Sequence, residues 1–256
     1  MIHSGLVSIT FRSLSPKEIV DLVARAGLDS IEWGGDVHAP HGDMARAREV
    51  RQMTLDAGLA VAAYGSYYRV GHGEPVPFER VVESAVALGA SLIRVWAGKR
   101  GSAEADAAYW TRVVEDSRVI ADLAQQAGIV VAYEFHSNTL TDTNESALLL
   151  LQTVAHSNVK TYWQPPGDAA LHDNLAGLEM ILPWLTNVHV FSWREANGQR
   201  ERMRLEAKAE EWAQYFAKIA TTGRDHHAMI EFVRDDAPEN FLKDAVTLKQ
   251  WLEIRN

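Results

Sequence analysis

One phrase recurs along this chain: an amphipathic helical stretch ends at glycine, and an apolar run begins within a few residues. It appears as ARAGLDSIEW, LDAGLAVAAY, VALGASLIRVW and AQQAGIVVAYEF. Glycine supplies the left-handed conformation at a helix C-terminus, and a short αβ loop follows. A chain that repeats this unit builds parallel strands, because each helix returns the backbone to the edge where the next strand starts. Eight strand windows can be read: 6–11, 30–34, 59–65, 91–98, 129–135, 160–164, 187–193 and 228–233. All are short and rich in Val, Ile and aromatic residues. The stretches between them have helical periodicity. The first helix shows its start in Ser15, Pro16 and Glu18 (a cap, a first-turn proline and an acidic first turn) and its stop at Gly27.

Eight βα units in 256 residues favour a closed barrel over an open doubly wound sheet. The first βα turn, around ITFRSLSP, also lacks the GxGxxG phosphate loop of a dinucleotide fold. No Pro/Gly/Ser-rich linker or low-complexity segment interrupts the pattern. The chain is therefore predicted to be α/β, a (β/α)8 TIM barrel forming a single domain over residues 1–256. The longer connections, GDVHAPHGD, SYYRVGHGEPVP, GKRGSAEAD and REANGQRERMRLE, follow strands rather than helices. In a barrel that end carries the active site.

A formal charge of −9 argues against nucleic acid as the main partner, since phosphate binding favours a basic surface. No run approaches the roughly 18–20 apolar residues that span a bilayer, so no membrane partner is expected. The start MIHSGLVSIT lacks the basic flank and apolar core of a signal peptide. A cytoplasmic location is the simplest expectation. The absence of cysteine rules out a disulfide framework and thiolate metal ligands.

Four apolar runs in the second half each carry one polar residue near their end. These are Glu134 in VVAYEFH, Gln164 in KTYWQPPGD, His189 in NVHVFSW and Glu231 in HAMIEFV. An ionisable group inside a strand is costly unless something pairs with it. Strand alternation groups Ala132 with Glu134, and Met229 with Glu231 and Val233. With those faces inward, both carboxylates sit near the top of the barrel. Two carboxylates, an imidazole and an amide oxygen converging there would suit a divalent cation. The alternative is that each glutamate pairs with a Lys or Arg in the barrel core.

This order of residues resembles the xylose isomerase-like TIM-barrel superfamily, which includes sugar isomerases, ketose 3-epimerases, hydroxypyruvate isomerases, inosose dehydratases and endonuclease IV. The resemblance covers nearly the whole chain. It implies one divalent metal ion, Mn2+ first with Mg2+, Co2+ or Zn2+ as alternatives, held by Glu134, Gln164, His189 and Glu231. It also implies that Glu134 and Glu231 are catalytic and move protons. The sixth strand departs from the family pattern. There the family has Asp followed closely by His, whereas this chain has Gln164, Pro165 and Pro166. Gln in place of Asp lowers the formal ligand charge, which leaves a stronger Lewis acid with weaker metal affinity. His172, on the following loop, is the candidate substitute for the missing His.

The leading expectation is an isomerase or epimerase of a sugar or sugar acid, working through a metal-stabilised enediolate. Its closest rival is a metal-dependent decarboxylase or dehydratase of an oxidised, 3-oxo sugar acid. A non-catalytic sugar-binding barrel with a degenerate metal site is the alternative from another class. An endonuclease IV-like enzyme would need more His and Asp ligands and a basic face. The expected partner is a small carbohydrate, and the resemblance implies a homo-oligomer.

Further candidates carry two readings each. His136 shares the face of Glu134 and would contact substrate, or serve as a structural loop histidine. Trp33, Tyr64, Trp96, Trp163 and Trp193 lie at strand ends, where aromatics stack on sugar CH faces or fill the barrel–helix layer. Trp33 is carried with the substrate-binding candidates. Glu32 and His38 would line the mouth or cap the second loop. Arg194 follows strand seven with Arg200, Arg202 and Arg204, a common phosphate position in barrels. Against that, RERMRLEAKAEE interleaves both signs like a solvated loop leading into a helix.

Overall fold

The first helix shows how the repeated unit is made. Ser15 accepts a hydrogen bond from the backbone N–H of Glu18, and the Glu18 carboxylate accepts one from the N–H of Ser15 at 2.7 Å. Replacing Ser15 by Ala would cost about 1 kcal/mol. Helix α1 (Pro16–Ala26) then buries Ile19, Val20, Leu22, Val23 and Ala26, and ends at Gly27 with φ 65°. A side chain is strained at that φ, so the glycine fixes the turn into β2 (Ser30–Gly34).

The computed structural model describes residues 1–166, 169–196 and 199–253. Within them the unit repeats around a closed ring. After β1 (Ile2–Val7), α1 and β2 come α2 (Met44–Asp56), β3 (Ala60–Arg69), α3 (Phe78–Leu88) and β4 (Leu92–Trp96). Next are α4 (Ala107–Gln126), β5 (Val130–Glu134), α5 (Asn144–Val154), β6 (Val159–Trp163), α6 (Leu171–Ile181) and β7 (Leu185–Val190). A hairpin of β8 (Trp193–Ala196) and β9 (Gln199–Arg202) precedes α7 (Ala209–Ala220), β10 (His226–Ile230) and α8 (Pro238–Glu253). The barrel order is β1-β10-β7-β6-β5-β4-β3-β2, every barrel pair is parallel, and β1 closes it by pairing with β10 and β2. The expected (β/α)8 barrel is therefore the observed fold, with β10 as its eighth strand. No helix among the described residues is long and apolar enough to cross a membrane.

The wall separates two interiors. Tyr133 and Phe135 point outward into the large apolar layer between strands and helices. Ala132 and Met229 point inward, with Val7, Ala63 and Tyr162. The alternation expected for Ala132/Glu134 and for Met229 holds. Val233 departs from it and joins the outer layer, because β10 ends at Ile230 and Phe232 takes φ 58°. That left-handed residue breaks the period of two.

Two windows shift. The first strand runs from Ile2 to Val7, and Ser8–Phe11 form a 3-10 turn rather than the end of a strand. The stretch after β7, expected as a solvated loop, instead forms the β8–β9 hairpin. In its register Arg194 lies opposite Glu201 and Glu195 opposite Arg200. The interleaved charges are thus cross-strand ion pairs, Arg194 Nε to Glu201 at 2.8 Å and Arg200 Nε to Glu195 at 3.4 Å.

Candidate metal centre

The strands bring their C-terminal ends together inside the barrel mouth. Glu134 is the last residue of β5, His189 lies in β7, and Gln164 and Glu231 stand one residue past β6 and β10. Glu134, His189 and Glu231 are all buried, and their donor atoms lie within 4.8 Å of one another. His189 Nδ1 is the hub. It lies 3.1 Å from Gln164 Oε1, 3.3 Å from Glu231 Oε2 and 3.6 Å from Glu134 Oε1. The Gln164 amide is oriented from its other end, where Nε2 donates to the Phe135 carbonyl at 2.6 Å. The four residues singled out in the sequence therefore meet.

Beneath them lies a second layer, built on Glu32 and on Arg94, a residue outside the sequence candidates. Arg94, in β4, is 1% exposed. Its Nε donates to Glu32 Oε1 at 2.6 Å, and its Nη1 donates to Glu134 Oε2. The Trp96 indole also donates to Glu134 Oε2. Glu32 is fully buried below the donors rather than at the mouth, and its Oε2 accepts from the Tyr162 hydroxyl at 2.8 Å. Burial alone would raise the Glu134 and Glu32 carboxyls, but Arg94 and His189 outweigh it and hold both well below the usual range. Burial alone would depress His189, yet the surrounding carboxylates, Glu231 foremost, push it well above its ordinary value. A charged residue in the apolar run LIRVW is the same anomaly as Glu134 in its own run. That signal would have found Arg94.

The residues fit a divalent cation on two counts. Donors bound at about 2.1 Å to one ion lie about 3.0–3.4 Å apart along the edges of its coordination polyhedron, close to the 3.1, 3.3 and 3.6 Å seen around His189 Nδ1. Charge is the second count. Glu32, Glu134 and Glu231 face one buried arginine, leaving a formal −2 in the interior when His189 is neutral, as a ligand must be. The set of oxygens and one imidazole suits Mn2+, Mg2+, Co2+ or Zn2+.

Above the donors opens a cavity of about 1030 Å3 bordered by Glu134, Gln164 and Glu231. His136 lines it, with its ring stacked on Trp96 at 4.3 Å. The His136 Nδ1 faces the Ser137 carbonyl at 2.7 Å. A carbonyl only accepts, so Nδ1 is the donor there, and in the neutral ring the lone pair lies on Nε2. Tyr67 and Phe232, at φ 57° and 58°, are two strained aromatics on the lining, and such strain concentrates at functional sites.

The remaining candidates divide. Arg194 and Trp193 line the cavity, as does Arg200. Trp33 does not: it is fully buried in the outer layer, its indole donating to Thr54 at 3.1 Å. Tyr64 and Trp163 lie in that layer too. His172 stands in the first turn of α6, exposed and 3.0 Å from Asp173, so the structure does not bring it to the donors. Arg202 and Arg204 turn away to Asp236 and Asp244, and His38 is held by Ser8 and the Leu14 carbonyl.

Comparison with known proteins adds three findings. A profile described as xylose isomerase-like TIM barrel matches residues 20–252. A curated 3-dehydroshikimate dehydratase of Bacillus anthracis is 28% identical over 205 residues, which cover 72% of this chain and 70% of the relative. Among solved structures, the probable 3-DHS dehydratase AsbF of Bacillus anthracis superposes with a TM-score of 0.81 at 24% identity, over 97% of this chain and 99% of that one. A D-psicose 3-epimerase superposes with a TM-score of 0.70 at 16% identity, over 98% and 97%. At these identities the structural likenesses speak to fold.

Proposed function

Because the chain belongs to the xylose isomerase-like TIM-barrel family, we propose that it is a metal-dependent lyase that removes water from a small oxidised carbohydrate acid. The substrate is a cyclic 3-oxo carboxylate of the 3-dehydroshikimate type. The dehydratase alternative from the sequence thus replaces epimerisation as the first reading. The observation that carries it is the state of Glu134. Epimerisation needs a proton carrier on each face of the reacting carbon. Glu134 has its Oε2 bound by Arg94 and Trp96 and is held firmly ionised, which makes it a weak base.

Dehydration asks for one base at the carbon beside the ketone and a proton for the departing hydroxyl. His136 suits both tasks in turn. Its Nε2 takes the proton from carbon, the β C–O bond breaks as the new double bond forms, and the same proton leaves with the hydroxyl as water. A divalent ion on the donor set would supply neutralisation of the negative charge that gathers on the ketone oxygen. Trp96, stacked under His136, keeps the ring in place. The 28% identity to a dehydratase supports the same direction.

Incubation of the Mn2+-loaded protein with 3-dehydroshikimate should give loss of one water by mass spectrometry and a rising near-ultraviolet absorbance. His136→Asn should lower that rate by about 10²–10⁴-fold while metal content is unchanged. The second reading is a sugar or sugar-acid isomerase or epimerase, kept because Glu134 and Glu231 border one cavity. Solvent deuterium entering a ketose without loss of water would favour it and would sink the lyase.

A further inference from the structure

His189 and Glu134 are joined from below through one residue that touches neither substrate nor metal position. Glu32 sends Oε1 to Arg94, which donates in turn to Glu134 Oε2. Its Oε2 faces His189 Nε2 at 3.6 Å. That nitrogen is buried and has no hydrogen-bond partner among the described residues. If Nε2 were unprotonated, its lone pair would face a carboxylate oxygen, with nothing to relieve the repulsion. With a proton on Nε2 the contact is attractive, and a cation held among Gln164, Glu231 and Glu134 would take the lone pair of Nδ1.

Resting on the donor-set reading above, we propose that Glu32 is a positioning residue that sets two metal donors at once. Through Nε2 it fixes the tautomer and rotation of His189. Through Arg94 it occupies Glu134 Oε2, so that Glu134 offers Oε1 alone. The Tyr162 hydroxyl at 2.8 Å, itself held by Asn187 at 3.2 Å, orients Glu32 from the side. β3 leaves room for this pair at Gly65, where an added Cβ would lie 2.6 Å from Arg94 Nη2 and 2.9 Å from Glu32 Oε1. The strand therefore carries a glycine where the buried ion pair passes closest. A carboxylate behind a metal-binding histidine commonly governs metal affinity by about 10–100-fold.

The test is metal binding rather than turnover. Calorimetric titration of the metal-free protein with Mn2+ should give one ion per chain in the wild type. Glu32→Gln should retain that stoichiometry with affinity lower by about 10–100-fold. Equal affinity in the folded variant, within about twofold, would overturn the proposal while leaving the donor set standing. Should Glu32→Gln fail to fold, Tyr162→Phe decides, because it removes the hydroxyl that orients Glu32 Oε2 at 2.8 Å. It should keep one Mn2+ per chain with measurably weaker affinity, and unchanged affinity would overturn the proposal. A wild type that takes up no Mn2+ would overturn the donor-set reading and this proposal together.

Discussion

On the outer side of β5 and just past its end, Tyr133 and Phe135 pack among apolar side chains, whereas one residue over on the inner face Ala132 and Glu134 border a space with three carboxylates, an arginine and an imidazole. The same strand serves both. Outside, burial of apolar surface stabilises the barrel at roughly 25 cal/mol per Å2. Inside, each buried charge costs stability unless its partners are in place. The outer layer thus supplies the apolar burial, and the inner one carries the charge. Stability and function should be separable by side of the sheet.

The largest expected effect tests the inner side. Glu231→Gln should lower turnover by about 10³-fold. Thermal unfolding of the metal-free protein should stay within about 1 kcal/mol of wild type, since three carboxylates there face one arginine. A large fall in stability would make Glu231 part of the structural core instead. The outer side should answer in reverse. Phe241, fully buried in α8, meets Phe11 edge-on with ring centres 5.7 Å apart. Phe241→Ala should cost about 3–5 kcal/mol in urea unfolding, with Mn2+ affinity of the folded fraction unchanged. If metal binding fell in step, the two layers would not be separate.

A smaller effect comes from the opposite end of the barrel. His227 in β10 is held down at about 4, by burial first and by nearby His3 second. Its unfolded value is about 6.5, so between pH 6.5 and pH 4 the unfolded chain binds the extra proton. The stability this group contributes is fully present above pH 6.5 and is lost as pH falls toward 4, about 2 kcal/mol after allowance for solvent screening. His227→Gln should flatten the melting temperature across that window; an unchanged slope would remove His227 as its source. The smallest change concerns the neutral donor. Gln164→Asp restores a charge and should tighten Mn2+ binding by about tenfold, the Coulomb benefit of one more anionic oxygen in a partly hydrated mouth. Weaker binding would mean that Gln164 is held at its position by the Phe135 carbonyl rather than by the ion.

The barrel was legible because its signals are local. Helix caps such as Ser15 and stops such as Gly27 act within a few residues, and window 30–34 matches β2 residue for residue. The first strand was misplaced because its opening residues, His3, Ser4 and Gly5, carry no apolar alternation. The hairpin was missed because its sign pattern pairs across a turn, and alternating charge reads equally well as a solvated loop. At the site, Glu134, Gln164, His189 and Glu231 stood out as polar residues ending apolar runs. Glu32 and Arg94 obey the same rule, yet their partnership spans 62 residues and depends on barrel closure. Trp33 and His172 lie away from the donors for a different reason. Proximity to a strand end or a loop does not say which side of the wall a side chain takes, and Trp33 faces the helices.

Glu134, His189 and Glu231 form a buried set able to hold one divalent cation. The most direct measurement is anomalous diffraction at the manganese edge from crystals grown with Mn2+. One peak per chain is expected, bonded at about 2.1–2.3 Å to Glu134 Oε1, His189 Nδ1 and Glu231, with Arg94 still between Glu32 and Glu134. A mouth without a peak, with Arg94 and His189 remaining as the positive partners of the carboxylates, would contradict it.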